Sequence, residues 1–291
     1  TTPHTQRVPA HMDFLYALLL GLIEGVTEFL PISSTGHLLV ASAFFGFPTS
    51  ALNVPDPKAF RDTFSIFIQI GAVIAVLAFY KRDLLAQAQR ITQDRIVQRF
   101  WLSIGLAFLP AAVIGFLLRD VIKTMLFSPL VVGIALVVGG VVFLLIESHP
   151  RTPRITNLES ISLRPALLIG IAQVTALIPG VSRSGASIVG SLLLGLDRRT
   201  ATAFSFYLAI PTLGLATLFD LLLALRDGTV ASQHLPLFGV GALVSFVVAW
   251  LAMAWLLRYV SRNSFRIFGY YRIAAGALII GLALFTTVLA N

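Results

Sequence analysis

Six stretches of the chain run free of charged residues for about the length of a membrane crossing: 63–80, 100–118, 124–146, 200–219, 235–257 and 273–291. An α-helix needs about 20 apolar residues to cross about 30 Å of hydrocarbon, so the pattern predicts six transmembrane helices. Tyr80, Trp101, Trp255, Tyr259, Tyr270 and Tyr271 stand at their ends, where amphipathic rings favour the headgroup level. Two further apolar stretches are interrupted. Residues 14–47 are broken at 31–36, which leaves 38–47 too short to cross, and residues 165–196 are broken at 179–185 in the same way. Backbone opened at membrane depth survives only where protein buries it or water reaches it, so both stretches predict re-entrant helical hairpins that mark a site.

The two halves resemble each other. Val26-Thr27-Glu28-Phe29-Leu30-Pro31 aligns with Val174-Thr175-Ala176-Leu177-Ile178-Pro179, and Ser33-Ser34-Thr35-Gly36 aligns, one residue shifted, with Ser182-Arg183-Ser184-Gly185. Phe64-Ser65-Ile66-Phe67-Ile68 matches Phe204-Ser205-Phe206-Tyr207-Leu208. Each half then holds one hairpin and three spans, and an odd number of spans inverts the second half through the membrane. The fold class expected is an all-α polytopic membrane protein, with six transmembrane helices and two re-entrant hairpins in an inverted-topology repeat. It forms one membrane domain over residues 12–291, with repeats at roughly 12–148 and 160–291; residues 1–11 read as a tag-like or disordered leader before Met12.

Composition agrees: the chain is 57% hydrophobic and 12% charged, where soluble domains carry roughly a quarter charged residues. A net charge of +8 raises nucleic acid as a partner. The basic residues lie between apolar segments and form no stripe, so that partner is excluded. Lys81, Arg82, Arg90, Arg95, Arg99, Arg151, Arg154, Arg164, Arg198, Arg199, Arg258, Arg262 and Arg266 fall on one side, and Arg7, Lys58, Arg61, Arg119, Lys123 and Arg226 on the other. Basic residues favour the cytoplasm, so both termini and the mouth of the first hairpin are expected outside, with the second hairpin entering from inside. Cysteine is absent, which removes disulfides and thiolate metal sites.

The chemistry lies at the two breaks. Glu24 and Glu28 stand four apart, and on a helix their carboxylates share a face and repel unless a cation, a metal ion or a proton intervenes. After Pro31, the hydroxyls of Ser33, Ser34 and Thr35 suit the start of a new helix, whose free N–H groups attract an anion. Arg183 sits among Ser182, Ser184 and Ser187 at the second break, and a guanidinium binds phosphate through two parallel donors. If the tips meet, Glu24 and Glu28 face Arg183, either across a phosphate or in a salt bridge that joins the hairpins.

From Glu24 to His37, and again from Pro179 to Gly185, the chain resembles the two signature motifs of the bacterial undecaprenyl pyrophosphate phosphatases, the bacitracin-resistance proteins. Ile68-Gln69-Ile70-Gly71 and the run from Phe204 to Pro211 are similar to further family segments in the same order. Ser187 stands where members usually carry Thr, and Ala203 where an acidic residue often occurs. The resemblance implies removal of the terminal phosphate from undecaprenyl pyrophosphate, which recycles the carrier lipid for cell-wall synthesis. It also implies a divalent cation, Mg2+ or Ca2+, and a multi-pass protein of the bacterial inner membrane with its site facing the periplasm or exterior. The partners expected are the polyprenyl pyrophosphate substrate and bilayer lipids, and a homodimer is allowed.

The residues suit phosphoanhydride hydrolysis. Arg183, the hairpin helix N-termini and a metal held by Glu24 and Glu28 would neutralise the transferring phosphoryl group. Ser34 is the preferred nucleophile, with Glu28 or His37 as base; water activated by a glutamate stays open, as does a structural role for His37. Ser33, Thr35, Ser182, Ser184 and Ser187 bind phosphate or cap helices, and Gln69 either joins this cluster or clasps two helices. The competing reading is a secondary transporter or flippase of phosphate or a lipid phosphate, since inverted repeats with broken helices also build carriers.

Overall fold

The computed structural model describes residues 11–49, 52, 54–122, 128–226 and 232–285. The leader, apart from the backbone of His11, lies outside them, as do Arg7 and Lys123 and the span ends at 124–127 and 286–291. Among the described residues there is no strand, only one bridge between Ile155 and Leu196. Among the described residues six helices are long and apolar enough to cross a membrane: α3 (Pro57–Phe79), α5 (Arg95–Leu117), α7 (Pro129–Ser148), α10 (Arg198–Arg226), α11 (Leu235–Val260) and α12 (Arg266–Phe285). The first hairpin is α1 (His11–Thr27) and α2 (Ser34–Phe45); the second is α8 (Leu163–Gln173), a 3-10 turn at Val174–Leu177, and α9 (Arg183–Leu193). On the basic side α4 (Lys81–Arg90) joins α3 to α5, and the single turn α6 (Arg119–Val121) follows α5.

Most long helices begin earlier than their charge-free runs because capping and interfacial residues belong to the helix. Asp56 accepts the N–H groups of Lys58 and Ala59 at 2.9 and 3.0 Å, with Pro57 supplying a fixed φ at the first position. Asp94 accepts from Ile96 at 2.8 Å in the same way and starts α5 ahead of Phe100. At the start of α12, Phe265 donates its N–H to Glu147 at 2.9 Å, while Arg198 grips the same carboxylate through Nε and Nη2 at 2.9 and 2.5 Å. One buried carboxylate thus ties the ends of α7, α10 and α12 together. The Arg198 side chain is 38% exposed, so solvent screens this pair and its loss should cost less than that of a fully buried one.

Helices in lipid gain little from hydrophobicity and associate where small residues let backbones approach. A Cβ at Gly133 would meet the Gly276 carbonyl at 3.0 Å, and one at Gly140 would meet the Gly269 carbonyl at 2.6 Å. This crossed order makes α7 and α12 antiparallel. Between α1 and α11 a Cβ at Gly21 would come within 2.4 Å of the Gly241 carbonyl, and between α8 and α5 one at Gly170 would come equally near the Ala107 carbonyl. The main pairings are α7 with α12, α3 with α11, α1 with α11, α5 with α8 and α3 with α10; exchanging the halves returns α7–α12 and α3–α10 to themselves and swaps α1–α11 with α8–α5, whereas α3–α11 answers only to the much weaker α10–α5 contact.

Not every terminal aromatic lies at a headgroup belt. Tyr80 is buried against Tyr207 at 4.4 Å between ring centres, and Tyr271 is occupied by a polar partner described below.

Candidate functional site

Pro31 has no N–H to donate and disfavours helical backbone at Leu30, so α1 cannot run through it. The last helical bond runs from the N–H of Glu28 to the Glu24 carbonyl at 2.9 Å, which keeps both carboxylates on one side as their spacing predicts. The chain restarts at Ser34 after Ser33, whose φ of 70° and ψ of 96° lie in a region that costs a side-chain-bearing residue about 1–3 kcal/mol. Ser182, immediately before α9, has a φ of 74°, and these two serines hold the described chain's only non-glycine positive φ values. The same strain at corresponding positions makes both tips turn alike.

The serines differ in use. Ser182 Oγ accepts the N–H of Gly185 at 3.1 Å and caps α9, whereas Ser33 caps nothing with its side chain. In the first tip the neighbouring hydroxyl is engaged instead: Ser34 Oγ donates to Glu28 Oε2 at 2.6 Å. Glu28 Oε1 lies 3.5 Å from Nη2 of Arg183, the first residue of α9, so the two tips do meet. Arg183 Nη1 donates to the Ser205 carbonyl at 2.8 Å, and the guanidinium stands 5.7 Å over the Phe29 ring. Ser184 Oγ donates to the Leu30 carbonyl at 3.0 Å, and Ser187 Oγ lies 2.8 Å from Ser205 Oγ. Glu24 is 1% exposed, and neither of its carboxylate oxygens has a hydrogen-bond partner.

Of the residues singled out in sequence, Glu24, Glu28, Ser34, Arg183 and Ser184 converge, with Ser33 and Ser182 shaping the backbone. Thr35 stands half-buried at the second position of α2, and Ser187 supports Arg183 from one turn further along α9. His37 turns elsewhere. Its Nδ1 is 2.7 Å from the Ser33 carbonyl and must donate there, so in the neutral ring Nε2 accepts from the Tyr271 hydroxyl at 2.6 Å. Gln69 accepts from Thr217 of α10 at 2.9 Å, which is the interhelical clasp rather than the phosphate cluster.

Three residues were missed in the sequence. Ser205 lay in the repeated Phe204-Ser205-Phe206 element, so its pairing signal was present. Tyr271 read as a headgroup anchor. Arg272 was assigned to neither basic group, standing just before the last charge-free run, yet it lies fully buried in α12 and donates to the Pro31 carbonyl at 2.9 Å and the Gly180 carbonyl at 3.1 Å.

The partnerless oxygens of Glu24 test the expected cation. A buried carboxylate without donors needs a proton or a cation. The donors at hand are all oxygen, and among the described residues no three His, Cys, Asp or Glu side chains converge. That set fits a hard divalent ion held by one or two carboxylates, with phosphate oxygens and water completing its shell.

The chain is 50% identical over 272 residues to an undecaprenyl-diphosphatase of Deinococcus radiodurans, covering 93% of this chain and 96% of the relative. An undecaprenyl-diphosphatase of Deinococcus deserti is 46% identical over 283 residues, covering 96% and 98%, and undecaprenyl-diphosphatase 1 of Chromobacterium violaceum is 45% identical over 269, covering 91% and 95%. The family model described as bacitracin resistance protein BacA matches residues 17–278, both hairpins and every long helix in whole or in large part, and the chain belongs to that family.

Proposed function

We propose that this protein is an integral membrane phosphatase that hydrolyses undecaprenyl pyrophosphate to undecaprenyl phosphate and inorganic phosphate. The observation that carries the reading is the 2.6 Å bond from the Ser34 hydroxyl to Glu28, whose other oxygen faces Arg183. A hydroxyl held by a carboxylate beside a guanidinium is what phosphoryl transfer requires and what transport alone does not. Ser34 Oγ gives its proton to Glu28 as it bonds the terminal phosphorus, and the bridging P–O bond breaks to release the lipid phosphate. Glu28 passes that proton to the departing lipid phosphate and, again a carboxylate, deprotonates the water that cleaves the phosphoserine; the Ser34 oxygen takes the proton back and inorganic phosphate is released.

Arg183 keeps N–H donors beyond those given to Ser205 and Glu28, and these meet the equatorial oxygens on which charge accumulates. Glu24, with Glu28, would hold the divalent cation, Mg2+ or Ca2+; when bound it neutralises phosphate charge. The geometry favours Glu28 over His37 as base, and His37 with Tyr271 fixes the first turn of α2. Detergent-purified protein should release inorganic phosphate from the lipid pyrophosphate with no membrane present; binding without release would favour the transporter.

The inverted repeat, with its hairpins entering from opposite faces, is supported by the antiparallel α7–α12 pair and the exchangeable packing. The excess of basic residues at the ends of α4 and its neighbours supports a cytoplasmic α4 and a first hairpin that opens outside the inner membrane. The chain has no cysteine, so single cysteines report cleanly. Lys58→Cys should react with an impermeant thiol reagent added to intact cells and Gln89→Cys should not; the reverse pattern would overturn this orientation.

A further inference from the structure

Arg272 is a cation with 0% exposure, two turns inside a membrane-spanning helix, and it has no carboxylate partner among the described residues. Such a charge is costly, and replacing buried ions by apolar side chains of similar volume is often neutral or stabilising, so stability alone does not account for it. Nη1 donates to the Pro31 carbonyl at 2.9 Å and Nη2 to the Gly180 and Ala135 carbonyls at 3.1 and 3.3 Å, while the buried Nε has no partner among the described residues. Pro31 stands three residues before Ser34, and Gly180 three residues before Arg183. One rigid guanidinium therefore grips each tip at the same distance along the chain from that tip's reactive side chain.

Room is made for this grip. A Cβ at Gly139 of α7 would lie 2.1 Å from Nη2, and the three atoms nearest to it all belong to Arg272. Gly180, with a φ of +98°, sits so close to α7 that a Cβ would meet the Val132 carbonyl at 2.5 Å. The planar fork reaches two carbonyls on two chains of backbone at once, which an ammonium point charge does not.

Resting on the phosphatase reading of the tips, we infer that Arg272 is a positioning residue that sets the register of Ser34 and Glu28 against Arg183 by holding one carbonyl of each tip. A displacement of about 1 Å at reacting groups costs about a hundredfold in rate, so loss of this register should appear in turnover.

The test uses Arg272→Met, Arg272→Lys and Gly139→Ala in the full chain in detergent, with Gly239→Ala as control because a Cβ there has no heavy atom within 4 Å. Gly139→Ala keeps the guanidinium and pushes it from its carbonyls, and it carries the test if Arg272→Met does not fold. Arg272→Met and Gly139→Ala should lower kcat by about 10- to 100-fold below their melting temperatures, with KM within threefold. Arg272→Lys should fall between them and the parent, and Gly239→Ala should match the parent. Hydrogen exchange should rise together in segments 28–36 and 178–186. Normal kcat in folded variants would reduce Arg272 to a structural role, and a tenfold rise in KM with protected tips would make it a phosphate ligand; either overturns the proposal. If the parent released no phosphate, the phosphatase reading would fall, while joint or separate exchange of the tips would still decide the register.

Discussion

Ser34→Ala and Glu28→Gln should each reduce phosphate release by about three to four orders of magnitude, and the double variant should be hardly worse than either alone. The expectation follows from the 2.6 Å hydrogen bond between them: a nucleophile and its base act as one device, so removing either disables the other. Ser34→Ala deletes one half-buried oxygen and should leave the fold intact. Glu28→Gln preserves shape but removes the carboxylate facing Arg183. The guanidinium still has the Ser205 carbonyl at 2.8 Å, so a lower melting temperature rather than unfolding is expected. Single-turnover reactions quenched in acid should trap phosphate on Ser34 in the parent and not in Ser34→Ala. A Ser34→Ala variant with near-parental kcat would transfer the attack to water, and additive losses in the double variant would separate the two residues' roles.

How far the sequence carried this reading depends on which interactions are local. The break at Pro31, the four-residue spacing of Glu24 and Glu28 and the hydroxyl-rich restart are short-range features, so the place of the first tip and the nearness of Ser34 to Glu28 were legible, though the cap expected of Ser33 is not made. The meeting of the tips was legible too, through odd span counts and basic loops rather than through any contact. His37 was not. Its position on the first turn of α2 suggested acid–base chemistry, but the direction of its ring is set by Tyr271, 234 residues away. Nothing in the periodicity near His37 encodes that partner.

Arg272 marks the same limit more sharply. Of the 21 Lys and Arg in the chain, it and Arg183 are the two that belong to neither loop group. Arg183 was conspicuous because serines and glycines surround it at a break. Arg272 follows two tyrosines and precedes a charge-free run, so a count of apolar residues ends the span beside it. The helix in fact begins at Arg266, anchored where the Phe265 N–H meets Glu147, and this carries Arg272 six residues inward. Interfacial charges and buried charges look alike in a linear count; only the helix start separates them.

Arg183→Lys should fold and lose about two to three orders of magnitude in kcat. The guanidinium here has three tasks: Nη1 on the Ser205 carbonyl at 2.8 Å, Nη2 toward Glu28 at 3.5 Å, and stacking over Phe29. An ammonium carries the same charge without the planar fork, so it can answer Glu28 or Ser205 while presenting no parallel pair of donors to a phosphate. The rate loss therefore measures the fork and not the charge. If Arg183 served only to balance Glu28, Lys would serve nearly as well, and the long 3.5 Å separation already argues that the ion pair is not its main task. The double variant Arg183→Gln with Glu28→Gln removes both charges at once. It should melt higher than Arg183→Gln alone, because the carboxylate of residue 28 is no longer left buried without its guanidinium, and it should remain inactive. Near-parental phosphate release by Arg183→Lys, or recovery of activity in the double variant, would mean that the two tips do not form one catalytic site.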